Sequence, residues 1–265
     1  MPHAQTATPR WALILGASSG FGEASARALV KAGYDIAGVH LDRKAGLQHV
    51  EEIKKDISAG GRRALFFNAN AADEANRKDV LDALEAEIAQ KGGTVAVLMH
   101  SLAFGTLKPY IADDAITKAN IDMTLDVMAH SLVYWAQDLV KRKLMERGGR
   151  IFSMTSSGST RVIPSYGAVS AAKCALESHT RQLAVELAPH GITVNALRGG
   201  VTRTPASEKI PGSDRLFDQA AQRNPHRRLT TPPDVAHALV ALCHPGTDWV
   251  TGNVINVDGG EEVAG

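Results

Sequence analysis

The 265-residue sequence predicts a single α/β domain built as a doubly wound parallel sheet with helices on both faces. Three observations carry this. Short apolar runs alternate with longer amphipathic segments along the whole chain, the pattern of repeated βαβ units. The first apolar run, residues 11–15, opens directly onto a turn rich in glycine. Hydrophobic residues make up 44% of the chain and charged residues 22%, enough apolar material for one large core, and no shift in composition marks a linker. Residues 11–265 are therefore read as one domain and residues 1–10, polar and carrying Pro2 and Pro9, as a frayed tail.

The elements follow in order. Residues 11–15 form a strand, 24–32 a helix with Gly33 as its C-cap, and 35–40 a second strand. Residues 50–57 have helical spacing, 63–67 form a third strand, 80–90 a helix and 95–99 a buried strand. Two long helices are expected at 124–146 and 166–188, each followed by a strand, at 150–154 and 193–197. A short helix at 234–243 and a last strand at 254–257 complete the sheet. Residues 205–231, rich in Pro, Arg and Gln, break the pattern and read as a loop over the substrate.

Composition excludes several function classes. A net charge of +1 gives no global pull toward nucleic acid or an anionic membrane. No window approaches the roughly 18 apolar residues of a membrane span, and the first residues hold no signal-peptide run, so a soluble cytoplasmic protein is expected. The two cysteines, Cys174 and Cys243, lie far apart in helix-like surroundings. They read as buried, reduced side chains rather than a disulfide or metal site.

Gly16, Gly20 and Gly22 stand between the first strand and the first helix. A dinucleotide pyrophosphate needs a tight turn, close backbone approach and free amides at a helix start, and three glycines at this place supply that combination. The fold expected is thus Rossmann-type, with Ser18, Ser19 and Phe21 in the same turn. An acidic residue ending the second strand would select NADH, but His40 stands there, followed by Leu41, Asp42, Arg43 and Lys44. The missing carboxylate leaves room for a 2′-phosphate beside Arg43 or Lys44, so NADPH is expected, with NADH as the alternative should Asp42 turn inward.

The Gly-x-x-x-Gly-x-Gly spacing resembles the short-chain dehydrogenase/reductase family, and the resemblance extends over nearly the whole chain. Residues 70–73, with Asn70, Ala71 and Asp73, lie where that family has a motif touching adenine. Residues 95–103, which include Ser101, match its fourth strand and following turn. Residues 199–204, with Gly200, Val201 and Thr204, resemble its turn for the nicotinamide carboxamide, and residues 251–260 its C-terminal signature. Ser156, Tyr166 and Lys173 resemble its catalytic group. A tyrosine can donate a proton opposite the hydride if a nearby cation lowers its pKa.

Most members space these two as Tyr-x3-Lys. Here Val169 holds that place and the spacing is Tyr166-x6-Lys173, which keeps both on one helix face. That spacing resembles the enoyl-acyl carrier protein reductases, as does the run from His100 to Phe104. Ser156 ten residues before Tyr166, and the segment following Tyr166, resemble the NADPH-dependent bacillus-like branch. Asp126 stands where many relatives have an asparagine that holds a relay water. His100 is read as structural and the cluster at residues 223–228 as solvated, with contact to an acidic carrier or phosphopantetheine as its functional alternative. The resemblance implies reduction of a 2-enoyl thioester in fatty-acid synthesis, by a homotetramer without nucleic-acid, membrane or metal partners. A carbonyl reductase or alcohol dehydrogenase, and a binding protein with a decayed site, are the rival readings.

Overall fold

The structure is a computed structural model that describes residues 8–264. Seven parallel strands form one sheet in the order β3-β2-β1-β4-β5-β6-β7. The chain runs β1 (Arg10–Leu15), α1 (Gly20–Lys31), β2 (Asp35–His40), α2 (Leu47–Ala59), β3 (Ala64–Asn68), α3 (Glu74–Lys91) and β4 (Thr94–His100). It continues through α4 (Lys118–Leu125), α5 (Ser131–Lys141), β5 (Arg150–Thr155), α6 (Gly167–Leu187), β6 (Thr193–Gly199), α7 (Ser213–Arg223), α8 (Pro232–Leu242) and β7 (Val254–Val257). This is the Rossmann-type doubly wound fold expected.

The strands read as apolar runs because both sheet faces are covered. On one face Leu81 of α3, Trp135 of α5 and Leu176 of α6 pack against Leu13 and Leu98. On the other, Leu29 of α1, Ile53 of α2 and Leu239 of α8 pack against Ile14 and Met99. The strand order reverses between β1 and β4, and such a switch point opens a crevice beyond the carboxyl ends of the strands.

Several expected boundaries are corrected. Residues 1–7 of the expected tail lie outside the described residues, and Arg10 is not tail but the first residue of β1, its guanidinium 4.2 Å over the Tyr34 ring. The helix expected at 50–57 runs Leu47–Ala59, and that at 80–90 starts at Glu74, where Asp73 caps it by accepting from the Asn76 amide at 2.8 Å. The single helix expected at 124–146 begins at Lys118 behind a Thr117–Asn120 capping box, passes through a π-turn over Asp126–His130, and stops at Lys141. Lys143, at φ 56°, cannot continue a helix. Residues 205–231 are not wholly irregular, since α7 lies within them. Cys174 is exposed and Cys243 half-buried, against the expected burial: Cys174 faces out from α6 and donates to the Ser159 carbonyl at 3.2 Å. Among the described residues no helix is long and apolar enough to cross a membrane.

Candidate active site

A continuous cleft lies over the carboxyl ends of the strands, in two lobes of about 350 and 290 Å³ that share Phe21, Ser101, Leu102 and Thr204. The first lobe runs from Gly16, Ser18, Ser19 and Gly20 to His40, Leu41 and Asp42, with Asn70 and Ala71 on its far side. The second holds Ser156, Tyr166, Lys173, Gly200 and Val201. Most of the sequence-predicted residues therefore gather along one crevice. Arg43 is exposed and off the wall, and Gly22 packs under the turn instead of facing the cleft.

The glycine turn has the shape that close backbone approach demands. Gly16 adopts φ 88°, and a Cβ there would lie 2.5 Å from the Ser101 carbonyl oxygen. A Cβ on Gly22 would lie 1.9 Å from the Gly16 carbonyl oxygen. Ser19, at the N-cap of α1, makes no side-chain cap bond, so the first amides of the helix are left for a ligand in the cleft. These features fit a dinucleotide pyrophosphate. Asn70 lines the cleft and accepts from the Ala72 amide through its side-chain oxygen, while Asp73 serves as the α3 cap. Ala71 is held from behind by Trp135, whose indole N–H donates to its carbonyl at 2.8 Å.

At the adenosine end, the Asp42 carboxylate lies 2.9 Å from His40 Nδ1 and lines the cleft. Its main chain is clamped to β3 by two bonds with the Asn68 amide side chain, at 3.0 and 2.9 Å. Arg43 and Lys44 make no ion pair among the described residues.

In the second lobe Tyr166 is the N-cap residue of α6, delivered by Ser165 in a left-handed conformation at φ 59°. Its hydroxyl lies 3.5 Å from Ser156 Oγ, which also accepts from the Gly158 amide at 3.1 Å. Burial raises the Tyr166 pKa above its ordinary value, and the Ser156 contact opposes this. Lys173 donates to the Met154 carbonyl at 2.7 Å and reaches toward that of Leu102 at 3.5 Å. Burial lowers its pKa to about 8. The expected lowering of the tyrosine pKa by Lys173 is thus not what the geometry gives, because Nζ is turned to main-chain carbonyls and desolvation dominates at the phenol.

Three further residues are placed. His100 is fully buried, its Nε2 2.8 Å from Ser131 Oγ, which donates to the Val127 carbonyl. Burial, aided by the charge of Lys173, lowers its pKa to about 3, so it is neutral and structural. Asp126 is off the cleft wall and accepts from Tyr134 Oη at 3.0 Å, which removes it from the relay place expected. Arg223 is not solvated as expected: it pairs with the buried Glu261 carboxylate at 2.9 Å, while Arg228 pairs with Asp234. Sequence reasoning missed Glu261, whose other oxygen accepts from the Val201 amide at 3.0 Å, because nothing local in a C-terminal Gly-Gly-Glu marks a partner sixty residues away.

The fold, the crevice at the switch point and the Ser–Tyr–Lys group in it define a short-chain dehydrogenase/reductase. Residues 16–262 match the family model described as Enoyl-(Acyl carrier protein) reductase, and the chain belongs to that family. It is 32% identical over 263 residues to 1-cyclohexenylcarbonyl-CoA reductase of Streptomyces collinus, covering 98% of this chain and 90% of the relative. It is 29% identical to the NADPH-dependent aldehyde reductase-like protein, chloroplastic, of Arabidopsis thaliana, over 95% and 93% of the two chains. Among solved structures it is similar to the Enoyl-[acyl-carrier-protein] reductase (NADH) of Aquifex aeolicus, at TM-score 0.84 and 25% identity over 96% of each chain. The protein is an oxidoreductase of this family with a nicotinamide cofactor.

Proposed function

We propose that the protein reduces the double bond of a 2-enoyl thioester with NADPH. The observation that carries the reading is the placement of Tyr166 at the start of α6, seven residues before Lys173. Val169 stands between them, and all three face a lobe also walled by Leu107, Met128, Ile163 and Leu216. Such a wall suits an acyl chain. The bound reduced nicotinamide would supply the hydride, received at the substrate β-carbon. Negative charge then develops on the thioester oxygen, where the Tyr166 hydroxyl donates and Ser156 assists. Lys173 would hold the nicotinamide ribose, and Gly200, Val201 and Thr204 the carboxamide, while Gly16, Ser18, Ser19, Gly20 and Phe21 would receive the pyrophosphate. At the adenosine end the Asp42 carboxylate is engaged by His40 although it lines the cleft, and a 2′-phosphate would draw the exposed Arg43 or Lys44, which follow it in the chain, inward to pair with it.

The names of two relatives support the substrate class and one supports NADPH, while the Aquifex enzyme, named for NADH, stands for the alternative cofactor. The 3.5 Å pairing of Ser156 with Tyr166 would also serve a ketone oxygen, which keeps carbonyl reduction as the rival. Nucleotide oxidation followed with crotonyl-CoA and a 3-ketoacyl thioester, against NADPH and NADH, separates these. Turnover of the enoyl substrate with NADPH is the expected result, with activity falling as pH rises through about 8, where Lys173 gives up its proton. Turnover of the keto substrate alone would sink the reading, and a preference for NADH would place Asp42 on the ribose. The same reading carries cytoplasmic fatty-acid synthesis and a homotetramer. Val185, exposed on the long α6, suits a helix that meets a second copy, and light scattering showing a monomer would remove that part.

A further inference from the structure

Behind the reacting groups lies a buried charge pair that the proposed chemistry does not use. Arg198, on β6 immediately before the Gly199–Val201 turn, donates to Glu177 Oε1 at 3.1 Å. Their side chains are 11% and 12% exposed. Glu177 sits on α6 one turn beyond Lys173 and also accepts from Thr155 Oγ1 at 2.7 Å. Thr155 and Arg198 are register partners across β5 and β6, so both side chains rise from the sheet toward the same stretch of α6. The same Arg198 Nη2 donates to Ser159 Oγ at 3.1 Å, and Ser159 Oγ in turn donates to the Ser156 carbonyl at 3.0 Å. One guanidinium therefore ties together the strand end before the carboxamide turn, the turn bearing Ser156, and the helix bearing Lys173.

Burying such a pair is expensive and on its own is weak support for stability, since an apolar pair of the same size often does as well. Its position points to another use. We propose that Glu177 and Arg198 are positioning residues for this active site: the pair fixes the Ser156 turn against the Lys173 face of α6 and sets the charge environment in which Lys173 keeps its proton. The charged and titratable groups around Lys173 are Glu177 on its own helix, with Arg198 from β6 behind it, His100 from β4, and Tyr166 in the same lobe of the cleft. His100 is neutral, so Glu177 is the anion among them, and Arg198 holds its field in check. Desolvation works against the Lys173 charge, and the Glu177 carboxylate works for it.

The inference rests on the oxidoreductase reading of this site, and its test separates the two. In Glu177→Gln the anion goes while Arg198 stays, and the alkaline limb of kcat moves to lower pH. In Arg198→Met the anion stays without its partner, and the limb moves to higher pH. The double variant, neutral at both places, returns the limb toward that of the wild type and recovers thermal stability lost in either single variant. Each single variant is expected to lower kcat about 10- to 100-fold through displacement of Ser156, with the nucleotide KM changed less than about threefold. Reduced-nucleotide fluorescence titrations across the same pH range read the Lys173 charge without any substrate. If the wild type binds nucleotide but turns over no enoyl thioester, the reductase reading fails while the nucleotide titrations still decide this one. Limbs that stay at the wild-type pH in both single variants, or that move in the same direction, overturn the proposal and leave the pair as packing alone.

Discussion

At Lys173 the needs of the site and of the fold are opposed. Lys173 is 5% exposed and its ammonium gains one strong bond, to the Met154 carbonyl, while burial lowers its pKa from 10.5 to about 8. Between those two values the unfolded chain binds the extra proton and the folded chain does not. Stability therefore rises as pH climbs from about 8 to 10.5, and the full penalty stands at neutral pH. That penalty is on the order of 3 kcal/mol, offset in part by the bond to Met154, worth about 1 kcal/mol. Lys173→Met is accordingly expected to abolish turnover and yet raise stability at pH 7 by about 1–2 kcal/mol, several degrees in a melt, with the gain shrinking by pH 10. A variant that melts below the wild type at pH 7 would show that the ammonium is better satisfied than its surroundings suggest. Tyr166 and Lys173 could be read from the sequence because they resemble the family's catalytic pair, and a separation of seven keeps them on one helix face. The condition of the two groups could not, because it depends on Met154 and Ser156, which arrive from β5 and the turn after it.

Among the elements, those with a strong local signal were the legible ones. The strands of the sheet are apolar runs buried on both sides, and Gly33, at φ 90°, ends α1 where expected. The π-turn at Asp126–His130 was invisible, since one inserted residue leaves helical spacing nearly intact. What places it is tertiary: the buried His100 ring meets Ser131, Ser131 takes the Val127 carbonyl released from the helical ladder, and Met128 packs into the cleft wall. Asp126 accepts from Tyr134 from within this turn, so the place inferred from the family resemblance carries a different contact here. α7 escaped notice for the opposite reason. It is polar overall, so the helical spacing of its few apolar residues, among them the buried Phe217 and Ala220, reads as part of an irregular segment, and Arg203 stacked 4.2 Å over Phe217 helps fix it over the site.

At the scale of the whole molecule, the alternation of strands and helices makes the sheet order readable, because parallel crossovers leave few arrangements and the glycine turn marks the switch point. The closing of the chain on its own active site is not readable that way. After β7 the chain turns at Asp258, which accepts from the Gly260 and Glu262 amides at 2.9 and 3.0 Å, and delivers Glu261 beneath the carboxamide turn. There Glu261 joins the Val201 amide to Arg223 at the end of α7, and Arg161 reaches the Glu262 carbonyl from the far side of the cleft at 3.1 Å. The C-terminal segment thus braces the Gly199–Thr204 turn against α7. Glu261→Ala would leave both the Val201 amide and the Arg223 guanidinium without their acceptor, at a cost of about 2–4 kcal/mol in stability. Its nucleotide KM is expected to rise about tenfold or more, since the carboxamide turn loses its support, whereas Glu261→Gln, which keeps an oxygen for Val201, should fall between it and the wild type. Thermal melts and nucleotide titrations on the two variants decide the matter. Weakened stability with an unchanged KM would mean that the segment closes the fold without shaping the site.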